Sequence, residues 1–303
     1  MSSGSPPAQA DVFEGERPRL TGLAYRITGS LSDAEDVVQE AWIRWSTQGP
    51  GHLHNPAGWL TTVTSRLALD RLRAQQRRRE VYVGPWLPDP VPTERTVEET
   101  VELAESLTLG FLVLLDSLGP DERVALLLGD VFGEPYSLIA ETLGKSEAAC
   151  RQVVSRARRK LRSARPAGSS PTPATAELLF ELMESVLADD EERALSLLHP
   201  DVVLISDAGP NRRAARRPVL GKRRVEQLLK NGWKVFGFKA PPKPGELPPP
   251  RLVETNSSPS IVLDLPEGPI VITADAVDGR IISIWVLLNP HKAVGLDGPS
   301  RLI

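Results

Sequence analysis

Arg151, Gln152, Ser155, Arg159 and Arg162 recur three and four residues apart, the spacing that places side chains on one face of a helix. Their chemistry is non-covalent. Guanidinium and amide donors suit base edges and phosphate oxygens. Arg151, Gln152 and Ser155 stand early on such a face, where base edges are reached, and Arg156, Arg159 and Arg162 suit phosphates. From Lys145 to Arg165 there are eight Lys or Arg against one Glu, a charge balance that fits a helix in a nucleic-acid groove. A second group, Asp33, Asp36, Gln39 and Glu40, is acidic and amide-rich, as a basic protein partner would require. A third couples the aromatic Trp59, suited to stacking with an unpaired base, to the cations Arg66, Arg71 and Arg73, suited to phosphates.

Each group needs a helix to present it. Gly144 can stop a short helix in the left-handed conformation, and Ser146 can cap the next one. Two helices joined so tightly form a helix-turn-helix over residues 136–162. Ala149, Val153, Ala157 and Leu161, with Cys150 and Val154 alongside, give its second helix a buried face opposite the arginines. Ser32-Asp33-Ala34-Glu35 fits a capping box, and Ala34, Val37, Val38, Ala41 and Trp45 form the apolar stripe behind the acidic face. Asn55-Pro56 can cap and start a long helix through Trp59 to Arg79. Trp42, Trp45 and Trp59 taken singly suit core packing.

A length of 303 residues suggests two or three domains. One cysteine excludes an intramolecular disulfide and a cysteine-based zinc site, and neither a metal nor a cofactor is expected. No apolar run reaches membrane-span length, and Met1–Asp11 lacks an apolar signal core, so no membrane association and a cytoplasmic location are expected. Proline, glycine and charge divide the chain into a disordered tail (1–18), a helical domain (19–80), a linker with Trp86-Leu87-Pro88-Asp89-Pro90 (81–105), a second helical domain (106–165), a short linker (166–174), a third domain (175–293) and a tail (294–303). In the third domain the texture changes to α+β. Helices near 176–187 and 221–233 flank strand-like runs at 202–205, 251–256, 260–265, 270–277 and 281–288, with an Asp278-Gly279 hairpin signal.

Asp33-Ala-Glu-Asp-Val-Val-Gln-Glu-Ala-Trp42, then Trp59-Leu60 with Leu69-Asp70-Arg71-Leu72-Arg73, then the helix-turn-helix, resemble the two domains of bacterial extracytoplasmic-function sigma factors of the sigma-70 superfamily. The order and spacing of the three motifs carry the resemblance, which spans residues 19–165. It implies a multi-domain fold with two all-α domains, sigma region 2 and sigma region 4. It implies that the helix at 32–46 binds the clamp of core RNA polymerase through Asp33, Asp36, Gln39 and Glu40. It also implies that the loop near 47–58 and the helix at 59–79, with Trp59, Arg66, Arg71 and Arg73, recognise and open the -10 promoter element, while the helix at 147–162 reads the -35 element. Arg66 stands where many members carry Asn.

Residues 172–292 resemble the SnoaL-like, NTF2-like cone fold, starting at His199-Pro200-Asp201-Val202. Sigma factors with this fused domain carry a linker motif like Trp86-Leu87-Pro88-Asp89-Pro90, and a motif after the last strand like Asn289-Pro290-His291-Lys292. The acidic glycine loop that follows their first strand survives in part as Ser206-Asp207-Ala208-Gly209-Pro210-Asn211. The resemblance implies that the third domain contacts the linker through these residues and modulates transcription initiation. Related cones include enzymes, so Asp207, Asp264 and His199 are the candidate pocket residues, although no pattern joins them; a small-molecule ligand in the pocket is the more plausible use. The alternative reading is a ligand-sensing or enzymatic cone fused to an ordinary DNA-binding regulator. The cluster Arg212, Arg213, Arg216, Arg217, Lys222, Arg223 and Arg224 reads as a solvated loop that could touch DNA or the acidic linker. Cys150 reads as a semi-buried helix residue rather than a redox sensor.

Overall fold

A computed structural model describes residues 9–48, 53–79, 82, 84–92, 108–164, 173–210, 212–232, 249–265, 268–293 and 296. The chain divides into two compact units: Met1–Arg78 with Thr96–Ser106 and Leu114–Ser163, and Arg79–Arg95 with Leu107–Val113 and Ala164–Ile303. The two helical domains therefore group together, and the Trp86–Pro90 linker belongs to the unit that contains the sheet.

The helical unit opens with α1 (Gln9–Thr28) and α2 (Leu31–Gln48), packed as a hairpin, and continues into α3 (Pro56–Arg79). Residues 9–18, expected within a disordered tail, are helical. Phe13 is fully buried with its ring 4.9 Å from that of Trp42, and the Trp45 indole N–H donates to the Gln9 carbonyl at 2.9 Å. One aromatic anchor stabilises a helix that composition alone does not favour. Ser30, rather than Ser32, starts α2: its carbonyl accepts from Ala34 at 3.0 Å and its hydroxyl faces the Asp33 amide. Gly29, with φ +70°, turns the chain just before it, so the helix starts two residues earlier than the capping-box pattern predicts. Asn55 does cap α3, accepting from the Gly58 amide at 2.9 Å.

After α4 (Leu109–Leu115), α5 (Pro120–Leu126) widens into a π turn over Leu127–Val131. The helix-turn-helix follows as α6 (Tyr136–Leu143) and α7 (Glu147–Ala164). Gly144 takes φ +63°, and the Ser146 hydroxyl accepts from the Ala149 amide at 3.2 Å, so both predicted turn devices operate.

The second unit contains α8 (Pro173–Leu187), α9 (Glu191–Leu197), β1 (Leu198–Asp207), β2 (Val219–Leu220), α10 (Lys222–Lys230), β3 (Arg251–Thr255), β4 (Ser258–Leu263), β5 (Ile270–Val277) and β6 (Arg280–Leu287). They form one mixed sheet of order β2-β1-β6-β5-β4-β3, antiparallel except for the parallel pair β1 and β6. This is the α+β layout expected for a SnoaL-like, NTF2-like domain. Asp278 (φ +48°) and Gly279 (φ +70°) both lie in the left-handed region, which makes the predicted hairpin turn between β5 and β6. Strand alternation sorts the core into two faces. Leu204, Ile261, Ile272, Ile284 and Val286 pack with Leu179, Leu182 and Val225 of the helices. Val262, Val271, Trp285 and Leu287 point to the other face, where they pack with Leu87 of the linker, Leu109, Ala293 and Leu296. Among the described residues, no helix is long and apolar enough to cross a membrane.

Candidate nucleic-acid interface and linker clasp

On α7, Cys150, Val153, Val154 and Ala157 are buried, and Arg151, Gln152, Ser155, Arg156, Arg159 and Arg162 are exposed. Arg151 is steadied by Glu147 at 2.8 Å and lies 5.0 Å from the Tyr136 ring centroid. Arg158 and Lys160 are engaged within the domain, with Asp130 at 2.5 Å and Glu122 at 2.6 Å. The outward cations of this helix without an ion pair among the described residues are thus Arg156, Arg159 and Arg162. Burial pushes the Cys150 thiol above its ordinary range, partly offset by Lys145, which fits an unreactive packing residue.

The cations of α3 are differently placed. Arg66 donates to the carbonyls of Glu141 (2.5 Å) and Thr142 (3.4 Å) at the C-terminus of α6. Arg73 pairs with Asp121 at 2.8 Å, which Lys145 also reaches at 3.2 Å. Arg71 lies 3.8 Å from Asp33 and 3.7 Å from Asp36. Trp59 is half-buried, its ring 5.7 Å from Trp45, so it serves the core between α2 and α3 in this structure rather than standing clear for a base. On α2, Asp36 and Gln39 are exposed, Glu40 pairs with Arg44 at 2.7 Å, and Asp33 accepts from Gln75. Ile43, 54 % exposed and one turn beyond Gln39 and Glu40, adds an exposed apolar side chain to this acidic face. The sequence pattern offers it no signal, because a single apolar residue off the stripe is common.

In the sheet unit the linker residues and the last-strand motif converge on one carboxylate. Asp207, at the end of β1, is fully buried. Its Oδ2 accepts from the Leu87 amide at 2.9 Å and from Lys292 Nζ at 2.7 Å; its Oδ1 accepts from the Tyr82 hydroxyl at 2.6 Å and the Gly209 amide at 3.1 Å. Lys292 also donates to the Leu87 carbonyl and sits 3.6 Å from the Trp86 ring centroid. The Asn289 side-chain amide meets the Tyr82 hydroxyl at 3.4 Å, and its oxygen accepts from the His291 amide at 3.1 Å. Gly209, with φ +66°, is needed here: a Cβ would stand 2.8 Å from the Asn289 side chain. Pro88 is buried and Asp89 and Pro290 are half-buried in the same clasp. Further along, Val91 and Asn256 exchange hydrogen bonds of 2.8 and 3.1 Å, and Pro92 bridges to Thr255 on the edge strand. The tyrosine hydroxyl is pushed well above its ordinary pKa, first by burial and then by its bond to Asp207. Residues 93–105 of the predicted linker, and Asn211, lie outside the described residues.

The three candidate pocket residues do not assemble. Asp207 is consumed by the clasp. Asp264 forms a two-pronged pair with Arg251 (2.6 and 2.9 Å), whose hydrogen bond holds the carboxyl below its usual range. His199 instead lines an open cleft of about 360 Å³ with Asp201, Val203, Val277, Asp278, Ile282 and Ser283. Among the described residues, no hydrogen bond or ion pair joins any two of the three.

A helix-turn-helix with an outward arginine face, behind a helical bundle with an acidic helix, defines a sigma-70-type transcription factor. Residues 12–78 match the family model Sigma-70 region 2, and residues 109–161 match Sigma-70, region 4. The chain is 38 % identical over 300 residues to the ECF RNA polymerase sigma factor SigJ of Mycobacterium tuberculosis, covering 95 % of this chain and 94 % of that protein. The probable ECF RNA polymerase sigma factor SigI of the same species is 35 % identical over 211 residues, which is 69 % of this chain and 72 % of SigI. The crystal structure of M. tuberculosis SigJ superposes with a TM-score of 0.72 at 32 % identity, covering 97 % of this chain and 100 % of that one. The chain belongs to the ECF RNA polymerase sigma factors. It works with RNA polymerase and promoter DNA in transcription initiation.

Proposed function

We propose that the α+β domain governs this sigma factor by holding the linker between its two sigma domains, and that the clasp on Asp207 is the means. The observation that carries this reading is the convergence of Tyr82, Leu87 and Lys292 on one buried carboxylate. Trp86 and Leu87 supply the anchor area, and the prolines lower the entropy lost on docking. In this reading Arg151, Gln152 and Ser155 contact -35 bases, and Arg156, Arg159 and Arg162 contact phosphates. Asp36, Gln39 and Glu40, with Asp33 behind them and Ile43 beside them, meet the polymerase. Trp59, Arg66, Arg71 and Arg73 serve the -10 element once released from their partners in the helical unit. The α+β domain acts by binding and not by catalysis, because its candidate residues lie apart, Asp207 in the clasp, Asp264 with Arg251 and His199 at the cleft. The cleft at His199 is the site where a small ligand would reach it. The cytoplasm, where polymerase and promoters are, is the proposed location.

Run-off transcription with core enzyme tests the reading. Trp86→Ala, or removal of the chain beyond about residue 170, changes promoter activity several-fold, while Gln152→Ala changes preference at one or two -35 positions by about 1–3 kcal/mol. Linker and truncation variants that transcribe like wild type remove the clasp from the mechanism. A Gln152→Ala protein indifferent to every -35 substitution removes the base-reading assignment.

A further inference from the structure

The segment from Arg212 to Arg224 carries seven Lys or Arg and no acidic residue, in a chain whose net charge is -3. It is not a loose loop. Arg212 turns inward and donates to the carbonyls of Leu288 (2.9 Å) and Gly268 (3.4 Å). The Ala215 amide donates to Ser206 Oγ at 3.1 Å, Val219 and Leu220 pair with Leu204 and Val203 of β1, and the Gly221 amide donates to the Val202 carbonyl at 2.8 Å. The backbone is therefore tied to β1 along its length. The other six cations turn outward from this frame: Arg213, Arg216, Arg217, Arg223 and Arg224 are exposed and Lys222 is half-exposed.

Two features separate these cations from an ordinary solvated surface. Among the described residues none of the six has an ion-pair partner, as is also true of Arg156, Arg159 and Arg162 on α7 and of Arg77 and Arg280, whereas Arg17, Arg19, Arg44, Arg151, Arg158, Lys160, Arg193, Lys230 and Arg251 are paired; here six such cations fall within twelve residues. Moreover, Lys222, Arg223 and Arg224 occupy the first turn of α10, whose N-cap Gly221 offers no side-chain acceptor and where no acid balances them. Cations at the positive end of a helix are unfavourable, because they meet the unpaired N–H groups and the dipole's positive end. Among the described residues nothing offsets this mutual repulsion and unfavourable helix start, the pattern expected where an anionic partner supplies the compensation.

We propose that this basic face is a second DNA-contacting surface, which binds the phosphate backbone of duplex promoter DNA without reading its sequence. Five of the six outward cations are arginines, whose forked donors match phosphate oxygens. The segment holds no Phe, Tyr or Trp, so it offers no platform for unpaired bases. The protein already works at a promoter, where duplex phosphates are the anions at hand. The α+β domain thus adds affinity to complexes that the two sigma domains select.

The test uses the full chain bound to core polymerase and fluorescent promoter duplexes, titrated through a salt series. Arg213, Arg216, Arg217, Arg223 and Arg224 are replaced together by Gln. With at least three phosphates no longer neutralised, the slope of log affinity against log salt falls by about 3, and affinity falls tenfold or more at moderate salt. The loss is equal for every promoter and for a duplex with scrambled -35 and -10 elements. Replacing the same five residues by Lys retains most of the slope, which separates loss of charge from misfolding. If the five-fold Gln variant does not fold, Arg213→Gln/Arg217→Gln and Arg223→Gln/Arg224→Gln are tested separately, and each removes part of the slope. An unchanged slope overturns the proposal. So does weaker binding to core polymerase in the absence of DNA, which would make the patch a polymerase contact. Tighter DNA binding by the Gln variant also overturns it, because the patch would then be holding the acidic residues Glu94, Glu98, Glu99 and Glu102 of the linker.

Discussion

Arg66 and Glu141 in the helical unit, and Lys292 and Asp207 in the sheet unit, make the same kind of contact under different conditions. The first pair is 3.8 Å apart with side chains 47 % and 63 % exposed; the second is 2.7 Å apart with side chains 9 % and 0 % exposed. Arg73 with Asp121 resembles the first pair, being 45 % and 32 % exposed. Wet ion pairs contribute about 0.2–1 kcal/mol each and weaken with salt. A buried pair gives little net stability against an apolar replacement, but losing one partner strands the other charge at about 3–5 kcal/mol. The linker clasp is therefore built to hold, and the contacts between the sigma domains are built to be exchanged. In the proposed reading Arg66 and Arg73 trade Glu141 and Asp121 for phosphates at small cost, whereas Lys292, 9 % exposed and held by Asp207, has no such exchange.

The largest expected effect tests the buried side of this contrast. Asp207→Asn leaves the Lys292 ammonium without its carboxylate and should destabilise linker docking by about 3–5 kcal/mol. Limited proteolysis across residues 84–92 and tryptophan emission report the release. Adding Lys292→Met should recover much of the loss, since the two residues are directly coupled. A smaller effect comes from Tyr82, whose folded-state pKa is raised by burial and by Asp207. A raised folded pKa means that the contribution is complete below the unfolded value, near 10, and declines as pH rises from there towards the folded value. Linker docking in wild type should weaken over that alkaline range, and the difference between wild type and Tyr82→Phe should shrink with it. At neutral pH the Phe variant should lose about 1–2 kcal/mol for a missing charge-assisted hydrogen bond. The smallest effect tests the exposed side. Asp121→Asn with Glu141→Gln removes carboxylate partners of Arg73 and Arg66 at less than about 1 kcal/mol each. Fluorescence energy transfer between labels on α2 and α7 should show the two sigma domains loosening, and high salt should produce the same change in wild type. A distance that neither the substitutions nor salt alter would remove the contrast drawn between the two regions.

Much of the fold follows from local patterns. The stripe Ala34, Val37, Val38, Ala41 and Trp45, the Gly144–Ser146 turn, and the Asp278-Gly279 hairpin each specify their element within a few residues, and each is formed as its pattern implies. The outward face of α7 is equally legible, because Cys150, Val153, Val154 and Ala157 fix the rotation of the helix. The helical start at Gln9 was not, because a single Phe13 anchoring against Trp42 has no period to detect.

Sequence alone determined most of the helices and strands and which helix face carries the arginines, because these depend on residues a few positions apart; the linker and last-strand motifs came from resemblance. It also determined that a basic segment follows β1. Tertiary structure alone decided that Asp207 is the centre of the clasp, since its partners Lys292 and Leu87 lie 85 and 120 residues away in sequence. It likewise decided that Arg66 and Arg73 are engaged within the helical unit while Arg159 faces solvent, and that six cations on the sheet unit stand without ion-pair partners among the described residues. A lone aspartate or arginine has the same local signature whether it is paired or free. Which it becomes depends on what charge and how much water the folded chain places beside it.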